Sequence, residues 1–177
     1  MKIAVYCGST AGNDPAYAEH AEKLGKWIAG KGHELIYGGG DAGLMGVVAR
    51  AAFESGGRVT GVLPGNIPFI ADRPQPYCTR VLTEPDMAAR KKRMMELAEA
   101  YIALPGGIGT LDEITEVMCL IRIHELPGRA VLYNIGGFYD CFRQQVARMI
   151  GAGYMAEQDL ERVLFSDSLE EMESFLG

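Results

Sequence analysis

Short apolar runs alternate with longer amphipathic stretches along this chain. Ile3–Cys7, Glu34–Tyr37, Arg58–Leu63, Thr79–Leu82, Tyr101–Leu104, Arg129–Asn134 and Arg162–Phe165 have strand length and strand composition. Between them apolar residues recur three and four apart, as Tyr17, Ala21, Leu24 and Ile28 do. That first helix starts at Asn13-Asp14-Pro15 and runs to about Gly30, where Lys31-Gly32 stops it. The same spacing predicts helices ending near Glu54, over Met87 to Ala98, over Leu111 to Arg122, over Phe138 to about Ile150 and over Ser168 to Leu176. The helix over Leu111 to Arg122 must stop by Glu125-Leu126-Pro127-Gly128, since Pro and Gly forbid its continuation. Gly151 to Asp159 reads as a loop. Pro64 to Tyr77 holds four of the eight prolines and reads as a long surface loop without regular structure, a substrate lid or a dimer edge.

Strands alternating with helices from end to end predict an α/β fold in one domain over residues 1–177. It is a three-layer, doubly wound, Rossmann-like parallel sheet with helices on both faces. In such sheets ligands bind beyond the carboxyl ends of the strands. Three turns without side-chain bulk fall at such ends: Gly8-Ser9, Gly38 to Gly43 and Gly106 to Gly109. Chain reversal alone does not require so many.

Composition narrows the possibilities. The net charge of −6 argues against nonspecific binding to nucleic acid or an anionic membrane. No apolar run approaches the length of a membrane span, and the first residues, MKIAVYCGS, lack a signal-peptide pattern, so a cytoplasmic location is expected. Cys7, Cys78, Cys119 and Cys141 form no CxxC pair, and His20, His33 and His124 are far apart, so no metal site is expected. Three of the four cysteines sit in apolar runs, which predicts reduced core thiols.

The chemistry concentrates in Pro105 to Glu116, PGGIGTLDEITE, a strand–glycine turn–helix passage. Gly106, Gly107 and Gly109 lack the Cβ atoms that would keep a ligand off the backbone. The unpaired N–H groups and dipole of the following helix favour an anion. Thr110 is placed to cap that helix or to donate its hydroxyl to a phosphate oxygen. Glu113 and Glu116 share one helix face. On the plain reading Asp112, Glu113 and Glu116 are first-turn acids favoured by the dipole. On the functional reading, a carboxylate one turn beyond a phosphate seat attacks something attached to the phosphate.

Two nucleotide-binding patterns fit poorly. Gly38-x-Gly40-x-x-Gly43 is a literal GxGxxG, but no carboxylate stands at Thr60 to Pro64 for the ribose of a dinucleotide, and the pattern follows the second strand. No GxxxxGK[ST] loop and no GxSxG elbow occur.

The three turns taken together resemble a known family. Pro105-Gly106-Gly107-Ile108-Gly109-Thr110-Leu111-Asp112-Glu113 fits PGGxGTxxE, Tyr37-Gly38-Gly39-Gly40 with Gly43-Leu44-Met45-Gly46 fits its glycine-rich partner, and Met87 with Arg90-Lys91 fits MxxRK. The chain resembles the Lonely Guy (LOG) family of cytokinin riboside 5′-monophosphate phosphoribohydrolases, long mislabelled lysine decarboxylases. The resemblance runs to about Tyr154. It implies a homodimer without cofactor that hydrolyses an N6-substituted adenosine 5′-monophosphate to free base and ribose 5-phosphate. It implies Arg90 and Glu113 as the catalytic residues, with Lys91, Gly107, Gly109 and Thr110 holding the nucleotide. Gly8, Ser9, Gly39, Gly40, Met87, Gly106 and Glu116 complete the expected substrate site. Ala88 and Cys119-Leu120 depart from the family pattern near the expected base position. A decarboxylase has no support in the residues, because no lysine stands in a pyridoxal phosphate context. The alternative is a carrier of the same fold that holds a phosphorylated ligand, such as molybdenum cofactor, without cleaving it.

Around Arg90, the run Arg90-Lys91-Lys92-Arg93 is flanked by Met87, Met94, Met95 and Leu97. Lys92 and Arg93 read as a solvated face, whereas Arg90 and Lys91 lie one turn into a helix that starts on the ligand side of the sheet. The helix Leu111–Ile123 carries more apolar surface than one sheet face needs, which predicts a subunit contact.

Overall fold

The computed structural model describes residues 1–71 and 74–177. Its strands are β1 (Lys2–Tyr6), β2 (Glu34–Tyr37), β3 (Arg58–Pro64), β4 (Arg80–Glu84), β5 (Ala100–Ala103), β6 (Arg129–Tyr133) and β7 (Val163–Ser166). The α-helices are α1 (Pro15–Gly30), α2 (Gly43–Glu54), α3 (Pro68–Ala71), α4 (Met87–Leu97), α5 (Ile108–Arg122), α6 (Asp140–Gly151) and α7 (Leu169–Leu176), with 3-10 turns at Ile135–Gly137 and Glu157–Leu160. The strands form one parallel sheet in the order β4-β3-β2-β1-β5-β6-β7. The chain reverses its direction of travel across the sheet between β1 and β5, whose register pairs Val5 with Ile102 and Tyr6 with Ala103. Ligands of doubly wound sheets sit at such a reversal.

The inner strands are apolar on both sides, because helices cover both, whereas the edge strand β4 is largely exposed. Ile3, Val5, Leu35, Tyr37, Ile102 and Tyr133 face α1, α2 and α7. Ala4, Tyr6, Ile36, Val62, Tyr101 and Leu132 face α4, α5 and α6. Gly25 lets α1 and α2 touch, since a Cβ there would lie 2.5 Å from the Val48 carbonyl. Asp14 caps α1 by accepting from Ala16 N at 2.9 Å, and Ser168 caps α7 by accepting from Glu171 N.

Several boundaries differ from the sequence expectations, each for a local reason. The stretch from Pro64 to Tyr77 is not wholly irregular, since the short helix α3 begins at Pro68, a favoured first helical residue. Asp72 and Arg73 of that stretch lie outside the described residues. Helix α5 begins at Ile108, three residues before the periodic apolar pattern, with Gly107 as its N-cap. Thr110 is therefore inside the helix and not its cap. Asp112 is likewise past the first turn, so the dipole argument for the acids loses force. At the other end α5 stops at Arg122, ahead of Pro127, and His124 takes a positive φ of 63°. Helix α6 starts at Asp140 because the Asn134 side chain accepts from Tyr139 N at 2.6 Å and donates to Asp140, holding a turn where a helix was expected. Among the cysteines only Cys7 is a core thiol; Cys78 is half-buried, and Cys119 and Cys141 are exposed on α5 and α6.

Candidate active site

Backbone hydrogen bonds tie the three glycine turns into one rim. Gly8 N donates to Pro105 O at 3.1 Å, Leu44 N donates to Gly8 O at 3.1 Å, and Leu104 N donates to Tyr6 O at 2.9 Å. The contacts are close enough to demand glycine. A Cβ at Gly106 would lie 2.1 Å from Thr110 Oγ1 and 2.8 Å from Gly8 N, and one at Gly43 would meet Ser9 at 2.3 Å. Gly107 and Gly109 are different, with nothing within 4 Å of where their Cβ atoms would be. They open the first turn of α5, whose leading N–H groups have no partner within the helix. Bare main chain facing open space at a helix start suits an anion. Thr110 is buried beneath the turn.

Helix α4 supplies the cations. Asp86 caps it by accepting from Ala89 N at 2.8 Å. One turn in, Arg90 is 7% exposed and turned into the molecule. Its Nε donates to Val62 O at 2.9 Å and its Nη1 donates to Glu113 Oε1 at 2.9 Å. Its other terminal nitrogen packs on Gly38, where a Cβ would sit only 2.1 Å away. Gly38 is thus the space the guanidinium occupies. Burial pushes the Glu113 carboxyl above its ordinary value; the charge and hydrogen bond of Arg90 pull the other way and do not prevail. Neighbouring Lys91 reaches the same helix α5, with Nζ 2.9 Å from Asp112 Oδ2 and 2.9 Å from Glu116 Oε2. The hydrogen bond to Asp112 is the chief reason its ammonium is held above its ordinary value. Lys92 and Arg93 point outward, the former 76% exposed and within ion-pair distance of Glu96.

Beside Arg90 lies a cavity of about 350 Å³, largely apolar, lined by Ser9, Gly40, Met45, Gln75 and Met87 among others. Behind the Pro105–Gly107 turn lies a second hollow of about 250 Å³, lined by Gly8, Thr10, Tyr17, Gly106, Gly107 and Phe138. The expected site residues therefore divide. Ser9, Gly40, Met87 and Arg90 face the larger space, Gly8, Gly106 and Gly107 the smaller, and Gly8-Ser9 joins the two. Glu113 meets the larger space through Arg90. Gly39, with a φ of 76°, is packed against Leu63. Lys91 and Glu116 are paired with each other across α4 and α5. Gly38 and Met45 belong to the glycine-rich motif but stand outside the expected site residues, and so does Gln75. Met45 stands inside the glycine-rich motif, which could have marked it. Nothing local marks Gln75.

A family profile described as "Possible lysine decarboxylase" matches residues 45–174. The cytokinin riboside 5′-monophosphate phosphoribohydrolase LOG of Oryza sativa subsp. japonica is 39% identical over 93% of this chain and 67% of its own length. The enzyme of that name from Rhodococcoides fascians is 35% identical over 95% of this chain and 85% of its own. This chain belongs to the LOG family. The LOG fold is shared more widely: a molybdenum cofactor carrier protein from Chlamydomonas reinhardtii superposes with a TM-score of 0.73 at 21% identity, covering 99% of this chain and 97% of that one. At that identity the likeness concerns the fold. The PGGxGTxxE and MxxRK elements of this LOG chain are the segments whose side chains meet at the Arg90–Glu113 pair.

Proposed function

We propose that this chain hydrolyses the N-glycosidic bond of an adenosine 5′-monophosphate, N6-substituted or plain, giving the free base and ribose 5-phosphate. The observation that carries the reading is the buried Arg90–Glu113 pair between a bare-backbone helix start and an apolar cavity. The 5′-phosphate sits on the open main chain of Gly107 to Thr110, with Gly8, Ser9 and Gly106 as its floor. The base enters the cavity beside Gly39, Gly40 and Met87. C1′ then lies over Glu113. As the C1′–N9 bond breaks, positive charge builds on the ribose and the ionised carboxylate stabilises it. Glu113 takes one proton from the attacking water as the water oxygen bonds to C1′, the departing purine nitrogen takes up a proton from solvent, and Glu113 then returns its own to solvent. Arg90 orients Glu113 and comes to bear on the sugar or the leaving base. Lys91 and Glu116 hold α4 to α5 and turn to the nucleotide when it binds.

The carbon skeleton of the reaction calls for no cofactor. A net charge of −6 supports a small-molecule substrate rather than nucleic acid or a membrane surface. Among the described residues no helix is long and apolar enough to cross a membrane, and we place the reaction in the cytoplasm. The active form is a homodimer joined through the apolar face of α5, where Met118 and Cys119 meet Phe142, Val146 and Met149 of α6 in an apolar groove.

The test is incubation with AMP, with N6-isopentenyl-AMP and with the corresponding ribosides, followed by detection of free base and ribose 5-phosphate. Turnover of the monophosphates and poor turnover of the ribosides is expected, because phosphate binding holds the sugar in its reactive pose. Equal turnover of riboside and monophosphate removes the phosphate seat from the mechanism. Tight binding without any cleavage points to the carrier alternative.

A further inference from the structure

The larger cavity has two kinds of wall. Met45, Met87, Pro64 and Ile70 give apolar surface suited to the faces of a flat ring, and among the described residues the polar side chains that line it are Ser9, Arg90 and Gln75. Arg90 is committed by two directed bonds, to Val62 O and to Glu113. The edge of a purine pushed into this space loses its water and needs a partner, since an unpaired polar edge costs more than the apolar faces return.

Gln75 is built into the site. Its carbonyl accepts from Cys78 N at 3.2 Å, closing a turn, and the next residue, Thr79, donates its N–H to Val59 O at 2.8 Å. The Cys78 thiol shares a hydrogen bond with the Tyr37 hydroxyl at 3.3 Å and fits above Gly61, where a Cβ would lie 2.8 Å from the sulfur. The turn is thereby pinned to the last residue of β2 and to the first half of β3. The Gln75 side chain lies beside Gly39, its Oε1 3.7 Å from the position a Cβ would take there, an ordinary contact distance. A carboxamide is thus carried on a fixed turn into the lining of the cavity that Arg90 also borders.

We propose that Gln75 reads the amino-bearing edge of the base and makes this chain selective for 6-aminopurine nucleotides. The proposal rests on the hydrolase reading for the identity of the ligand as a purine nucleotide. A carboxamide offers one donor and one acceptor side by side. The adenine edge offers the complement, an N6 hydrogen beside a ring nitrogen acceptor. An N6 substituent leaves one hydrogen on that nitrogen, so the pairing survives alkylation while the substituent lies along the methionine wall.

The experiment compares AMP with purine riboside 5′-monophosphate, which lacks the 6-amino group, in the native chain and in Gln75→Leu. The native chain should favour AMP by about three- to tenfold in kcat/KM, the range of one hydrogen bond. Gln75→Leu removes both bonds to AMP and the one bond the analogue retains, so AMP should fall about three- to tenfold further than the analogue and the ratio should come to about one. An equal fall for both ligands, or no fall for AMP, overturns the assignment. The same two ligands titrated by calorimetry into both proteins give the ratio without turnover. A chain that binds AMP selectively through Gln75 but cleaves nothing therefore refutes the hydrolase and keeps the inference. A chain that binds neither ligand refutes the inference. Thermal melting of Gln75→Leu checks that the turn is intact.

Discussion

Glu113 is held by two opposed influences, and their balance sets its chemistry. Burial favours the neutral acid, while Arg90 favours the carboxylate, and burial prevails. A base must be ionised to act, so activity should fall as pH drops through a midpoint above the ordinary carboxylate value of 4.5. The linkage runs the other way for stability. Between the unfolded and folded midpoints the native state binds more protons than the unfolded state, so stability falls as pH rises through that window. Glu113→Gln should abolish the acid limb of the rate profile, lower turnover by about 10²–10⁴-fold and still bind AMP. It should also flatten the stability profile in the same window. A pH–rate series with urea melts at matched pH checks both, and full activity in the variant would exclude Glu113 as the base. Gly38 belongs to the same scale: its missing side chain is where Arg90 lies, which the reading of the Gly38 to Gly43 turn as space for a ligand does not anticipate.

Helix α5 is the element on which the site turns. Its glycines fall into two classes that the sequence does not separate. Gly106 is required by the fold, because Thr110 and Gly8 fill the space beside it, whereas Gly107 and Gly109 face openness. Gly109 lies within the first turn of α5, where alanine is the better helix former. Gly109→Ala should therefore stabilise the free protein by about 0.5–1 kcal/mol. It should at the same time raise KM for the monophosphate, because the new methyl group stands where the phosphate approaches. Denaturant melts beside steady-state kinetics report the two effects, and an unchanged KM would take the phosphate off this turn. The motif itself was plain in the sequence, since PGGIGT between an apolar run and a periodic stretch can hardly be anything but a strand–turn–helix. Its boundary was not. Apolar periodicity marks only the part of a helix that packs, and Ile108 is 81% exposed, so the first turn carries no such signal. Lys91 shows the same limit: the ion pairs that join it to Asp112 and Glu116 cross from α4 to α5, and no local pattern announces them.

At the scale of the molecule, the apolar groove between α5 and α6 and the exposed Ile123 are surface a lone chain leaves in water. Light scattering should return twice the mass of one chain, and Met118→Lys should halve it. A monomer in the unsubstituted protein would end the homodimer proposal. The alternation of strands and helices and the bare glycine turns that precede helices follow from the sequence alone, because hydrophobic period and glycine placement are local properties of the chain. Which residues share a space does not follow. Arg90 meets Glu113, the turn at Gln75 lies beside Gly39, and the Pro105–Gly107 turn is backed by Tyr17 and Phe138 only because the strand order brings the ends of β1, β2, β3 and β5 together. Those contacts join residues far apart in the chain, and only the packing of helices on both faces of the sheet brings them within reach.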